Sequence, residues 1–133
     1  MTTNKTSMLE QAKQAQNKAY APYSKYHVGA CIKTDDGQLF SGCNVENASY
    51  GLTMCAETSA ISHMINAGQQ KISEVFVIGS SDEYCTPCGR CRQMIREFMA
   101  PDGVVHCAKK DGTYQTFTLE HLLPESFGPE HIR

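Results

Sequence analysis

Apolar positions recur at helical spacing in some stretches of this chain and at strand spacing, or in short runs, in others. Residues 7–19 are rich in helix formers, with Ser7 placed as an N-cap, Glu10 completing a capping box and Pro22 as the stop. Residues 26–33 and 38–45 read as strands, and Asp35-Asp36-Gly37 between them has hairpin-turn chemistry. From Cys55 onward, Ala56, Ala60, Ile61, Met64 and Ile65 fall on one helical face that Gly68 closes. Val75–Ile78 is wholly apolar and reads as a central strand. After Pro87, Cys91, Met94, Ile95, Phe98 and Met99 mark a further helix, with Pro101 beyond its end. Residues 103–108 and 113–118 fit two more strands turning at Asp111-Gly112. A short helix over 119–123 ends at Pro124. The order αββαβαββα predicts one α/β domain over residues 1–133, a mixed five-stranded sheet with helices on both faces.

Composition sharpens this picture. Leu, Ile, Val and Phe make up only about 18% of the 133 residues, a lean core for a globular domain. The net charge of −2 is too small for disorder, so the chain should fold, helped by a metal or by partner subunits. No apolar run approaches a membrane span, and Met1–Lys5 show no secretory signal. The acidic balance, with no basic cluster beyond Lys109-Lys110, argues against nucleic-acid binding. Seven cysteines without an export signal point to metal or reactive thiols in the cytoplasm, not to a disulfide framework.

Two segments, Cys55-Ala56-Glu57 and Pro87-Cys88-Gly89-Arg90-Cys91, carry the chemistry, each at a predicted helix N-terminus. Such termini favour thiolates. Cys88 and Cys91 sit one turn apart, and Cys55 supplies a third sulfur. Three thiolates leave one tetrahedral position open, the pattern of a catalytic zinc site. Glu57, two residues from a ligand, can reach a water at that position without binding the metal. A Cys₃ ligand set, a non-ligating Glu and a PCxxC segment together are the signature of zinc deaminases.

Nearly the whole chain resembles the small homotetrameric cytidine deaminases. The matching segments are Ala21-Pro22-Tyr23-Ser24, Val28-Gly29-Ala30, Gly42 through Tyr50, Cys55-Ala56-Glu57, Pro87 through Gln93, and Leu122 through Pro129. The resemblance implies a cytidine deaminase-like fold, one Zn²⁺ per subunit, and hydrolysis of cytidine and deoxycytidine to uridine and deoxyuridine in pyrimidine salvage. Zinc makes hydroxide available for attack on C4, while Glu57 moves protons to N3 and to the departing ammonia. Asn44 and Glu46 inherit the ribose contacts, and Tyr50 closes that segment. Ala56 offers its N–H to the pyrimidine O2. Tyr26 stands where the family usually has Phe against the base, so its hydroxyl needs a partner. Phe127 reaches a neighbouring subunit's pocket.

Several of these residues have plainer readings. Cys85 extends the motif to CxxCxxC and suits a structural zinc knuckle or an iron–sulfur site, although Pro87 and the missing fourth ferredoxin-type cysteine weigh against both. Cys31, Cys43 and Cys107 read as core residues. Asn44, Asn47 and Ser49 suit a turn, and Tyr26 and Phe127 suit packing. The five histidines show no ligand spacing. Alternatives to the cytidine deaminase reading are a blasticidin S-type or broader nucleoside deaminase and, more distantly, a non-enzymatic zinc module.

One position departs from the family. Most members follow Cys-Ala-Glu with an Arg that donates to the thiolates, whereas this chain has Thr58. Three thiolates around Zn²⁺ leave excess negative charge that outer donors normally offset. Arg90, or else Arg92, is the candidate replacement; the alternative is that Arg90 is a solvated side chain.

Overall fold

Gly37 takes φ 90° in the hairpin turn after Asp35-Asp36, a backbone conformation that side chains disfavour. That turn joins β1 (Gly29–Thr34) to β2 (Leu39–Cys43) in the computed structural model, which describes residues 5–132. The other strands are β3 (Ile72–Ile78), β4 (Val104–Ala108) and β5 (Tyr114–Thr118). They form one sheet in the order β2-β1-β3-β4-β5. Only β3 and β4 run parallel, so the apolar run Val75–Ile78 is central, as expected. The helices are α1 (Lys5–Gln16), α2 (Ala56–Asn66), α3 (Gly89–Phe98) and α4 (Leu119–Leu122).

The strand period of two sorts the core between the sheet's faces. Ala30, Ile32, Val75, Val77, Val105 and Cys107 pack with Ala60, Ile61 and Met64 of α2 and Ile95 of α3. Cys31, Phe76, Ile78 and Ala108 turn the other way, onto Met8 and Ala12 of α1. The result is the mixed sheet with helices on both faces. A Cβ on Gly42 of β2 would lie 2.4 Å from the Ala60 nitrogen, so a bare glycine lets α2 lie close against the sheet.

Several boundaries differ from expectation. Ser7 and Glu10 lie inside α1 and not at its start, and the helix ends at Gln16, well before Pro22. Competing backbone bonds explain the early stop: the Tyr20 N–H donates to Asn44 O, and the Glu46 N–H to Tyr20 O, pulling the chain into a bridge with β2's continuation. Residues 26–28 leave the predicted strand because side chains take over their polar groups. Asn44 Oδ1 accepts from the Val28 N–H at 3.0 Å, its Nδ2 donates to Tyr26 O at 2.8 Å, and Ser80 Oγ accepts from the His27 N–H at 3.0 Å. Arg96 is buried, against the expectation for a charged helix residue, and His106 is fully buried between Glu74 and Thr116.

Candidate active site and metal centre

The start of β1 and the end of β3 lie side by side, Gly29 opposite Ile78. The loops at this end bring the N-termini of α2 and α3 together. Cys55 is the N-cap of α2 and Cys88 the N-cap of α3; both have extended backbone and neither side chain makes a capping bond, which leaves the sulfurs free for another partner. Cys91 follows on the first turn of α3 and is buried. The three sulfurs lie within 4.8 Å of one another, and those of Cys55 and Cys88 are 3.9 Å apart. Zn–S bonds of about 2.3 Å in tetrahedral geometry place sulfurs about 3.8 Å apart. The donor set and its spacing therefore fit Zn²⁺. No other such cluster occurs among the described residues. Cys85 stands outside it, paired with the Tyr26 hydroxyl.

Glu57 is buried at 4% exposure on the first turn of α2. Burial pushes its carboxyl up to about 7, and the nearby Cys55 adds to the rise, so the group exchanges protons near neutrality. Cys55 is held down at about 6, first by its hydrogen bond with Cys91, and further by Cys88 and by the charge of Arg90. Thr58, in the position of the family's Arg, is buried with its hydroxyl oxygen 3.7 Å from Cys91 Sγ. Arg90 reaches Thr53 O at 3.5 Å from an exposed position beside the cluster. Arg92 instead turns its guanidinium to Pro87 O and Leu122 O, both at 2.7 Å.

A cavity of about 220 Å³ opens onto this cluster, lined among others by Tyr26, Asn44, Cys55, Ala56, Glu57 and Cys88. Six residues singled out from the sequence thus meet at one hollow. The Tyr26 hydroxyl finds its partners there: it donates to Cys85 with Ser81 beside it, and burial, then Cys85, push it up to about 12. Its oxygen lies so close over Gly79 that a Cβ there would sit 2.2 Å away. Ala56 begins α2, and the first helical bond at this end runs from the Ser59 N–H to Cys55 O. The amides of the preceding turn therefore have no intrahelical acceptor.

Glu46 and Tyr50 line an adjoining hollow of about 260 Å³ that shares Thr53 with the first. Glu46 accepts from the Tyr23 and Ser24 N–H groups at 2.9 and 3.1 Å and from the Ser24 hydroxyl, which holds its carboxyl below the usual range. Phe127 is 58% exposed and outside both hollows, stacked on His131. Val28, Thr53, Cys85 and Thr86 complete the main cavity and were not singled out as lining residues; Val28, in a matching segment, and Cys85, beside the Pro87 motif, carried a signal, whereas Thr53 and Thr86 carried none.

Comparisons with known proteins agree with this geometry. The family model for the cytidine and deoxycytidylate deaminase zinc-binding region matches residues 2–107, which include the three cysteines and Glu57. The chain is 37% identical over 125 residues to a cytidine deaminase of Halalkalibacterium halodurans, covering 94% of this chain and 95% of that protein. It is 36% identical over 128 residues to one of Mycoplasma genitalium, covering 96% and 98%. The crystal structure of cytidine deaminase from Burkholderia pseudomallei superposes with a TM-score of 0.88 at 40% identity, over 93% of this chain and 99% of that one.

Proposed function

The chain belongs to the cytidine and deoxycytidylate deaminase family, and we propose that it hydrolyses the 4-amino group of cytidine and deoxycytidine, giving uridine and deoxyuridine with release of ammonia. The observation that carries this is a buried carboxyl with pKa about 7, Glu57, facing the same small cavity as three clustered sulfurs. Cys55, Cys88 and Cys91 would hold Zn²⁺, which when bound would supply Lewis-acid activation of a water, lowering its pKa from 15.7 to about 7.

The protein's own residues do the rest. Glu57 takes the proton of the attacking water and passes it to N3 of the base. It then takes the proton of the new C4 hydroxyl and delivers it to the amino nitrogen, so that C4=O forms as the C4–N bond breaks and ammonia leaves. A carboxyl with pKa near neutrality serves both steps, as base and then as acid. The Ala56 N–H, free at the helix start, donates to the pyrimidine O2. Tyr26 presents its ring to the base, with its hydroxyl turned away to Cys85. Asn44 uses its amide to brace the Tyr26–Val28 backbone and keeps one N–H for a ribose hydroxyl. Glu46 offers its carboxylate to the same sugar from the adjoining hollow, with Tyr50 alongside. Arg90 and Thr58 offset the negative charge of the sulfur cluster, while Arg92 sets the Pro87 carbonyl just ahead of Cys88.

The assembly is a homotetramer in which Phe127 of one copy covers a neighbour's cavity. Support comes from its exposure and from the exposed Tyr20, Tyr23, Tyr50 and Leu52. No described helix is long and apolar enough to cross a membrane, and all seven cysteines are unpaired. Free thiols suit a reducing cytoplasm and a place in pyrimidine salvage. The test is loss of cytidine absorbance with stoichiometric ammonia release by zinc-containing protein, run beside blasticidin S. Turnover of cytidine is expected; inert cytidine in zinc-loaded protein contradicts the reading.

A further inference from the structure

Arg96 is a charged side chain at 6% exposure, and the mechanism does not use it. Its guanidinium is enclosed by the C-terminal segment. Nε donates to Ser126 Oγ at 2.7 Å, and Nη2 pairs with the Glu130 carboxylate. Between these two contacts the chain passes over the guanidinium at Gly128, where a Cβ would sit 2.5 Å from Cζ and Nη1. Neighbouring side chains of α3 hold the same segment: Gln93 Nε2 donates to Phe127 O at 2.9 Å and Arg92 Nη1 to Leu122 O at 2.7 Å. The Gly128 N–H donates to His131 Nδ1 at 2.9 Å, and the His131 ring stacks on Phe127 at 5.4 Å.

These contacts have one consequence. The backbone on either side of Phe127 is fixed, yet its ring stays 58% exposed and lines neither of the two hollows at the candidate site. Burying an arginine is costly unless its donors are satisfied, and here they are spent on a segment whose one large apolar side chain faces outward. We propose that Arg96 is a positioning residue acting in trans: it clasps Ser126 and Glu130 around Gly128 so that Phe127 stands at the orientation that completes the cavity of a neighbouring copy. The inference rests on the reading that Phe127 covers a neighbour's cavity. It adds that this aromatic wall is set by the helix that carries Cys88 and Cys91 in the donating copy.

The test uses zinc-loaded full-length protein with cytidine as substrate. Phe127→Ala tests the underlying reading, and an unchanged KM there removes that reading itself. Given a raised KM in Phe127→Ala, Arg96→Gln should raise KM about three- to tenfold, the worth of an aromatic contact, with kcat and zinc content little changed. Gly128→Ala, which alters the segment and leaves α3 intact, should do the same and covers the case in which Arg96→Gln folds poorly. Combining either variant with Phe127→Ala should add nothing further. The decisive arm co-expresses Arg96→Gln with Glu57→Gln. Mixed assemblies pair an intact cavity with an intact neighbouring tail, so a fraction of sites should recover the wild-type KM. A raised KM for Phe127→Ala beside unchanged values for Arg96→Gln and Gly128→Ala overturns the role of Arg96. Mixed assemblies that keep only the high KM overturn its action in trans.

Discussion

The Thr58 hydroxyl lies 3.7 Å from Cys91 Sγ, joining the first turn of α2 to the first turn of α3. Where the resembled family places an arginine, this chain therefore has a short, buried donor within reach of a sulfur. Arg90 adds charge from the exposed side, acting on Cys55. In the proposed reading the two residues divide the charge-offsetting task that the resemblance assigns to one guanidinium.

Thr58→Val removes the hydroxyl and keeps the shape. Zinc should be lost to a chelator about tenfold faster than from wild type, the lower end of what outer hydrogen bonds contribute to metal sites. Chelator-monitored release rates at fixed pH check this. An unchanged rate assigns the compensation to Arg90 alone.

Tyr26 lines the main cavity, and its hydroxyl packs over Gly79. Gly79→Ala places a methyl 2.2 Å from the tyrosine oxygen and 2.8 Å from its ring carbon Cζ, so the Tyr26 side chain must shift from its place in the cavity wall. We expect kcat/KM for cytidine to fall at least about tenfold, since misplacements of about 1 Å cost that much or more. Adding Tyr26→Phe should recover part of the loss. A double variant no better than Gly79→Ala shows that the oxygen is not the obstacle.

The cysteines separate cleanly. Cys55→Ala should lose zinc and activity together and melt at lower temperature, because metal binding is coupled to folding. Cys85→Ala should keep its zinc, since that thiol faces Tyr26 and not the cluster. Metal analysis of the two purified variants decides, and zinc loss from Cys85→Ala returns that residue to the ligand set.

Much of this site was legible because its parts are local. Spacing put Cys88 and Cys91 on one turn, and helix-start signals put Cys55 and Cys88 at two helix N-termini, where the structure makes each the N-cap. What spacing does not encode is which side chain from afar claims a backbone group. Asn44 read as a ribose contact, or more plainly as a turn residue, and neither reading foresaw that its amide fastens residues 26 and 28 and shortens the first strand. Nothing in the local pattern marked Arg96 for burial, because its partners, Ser126 and Glu130, lie 30 and 34 positions away. The same holds for His106, whose partner Glu74 sits on the adjacent strand.

Glu74 gives a pH signature away from the metal. Burial opposes its ionisation, but hydrogen bonds from Lys33 and His106 prevail and hold its carboxyl below the usual range. A depressed folded-state pKa contributes stability above the unfolded value, near 4.3, that is lost as pH falls through the folded one. Glu74→Gln should therefore be less stable by about 1–3 kcal/mol at pH 7. The gap between the two melting temperatures should close as pH falls below about 4. A gap independent of pH refutes the ion-pair account.

The most direct measurement is cytidine turnover by Glu57→Gln whose zinc content equals that of wild type. The amide keeps the shape of the buried side chain but cannot carry protons between water, N3 and the leaving nitrogen. The account predicts kcat reduced by about 10²–10⁴-fold with one zinc per subunit retained. Turnover near the wild-type rate in that zinc-loaded variant would contradict it.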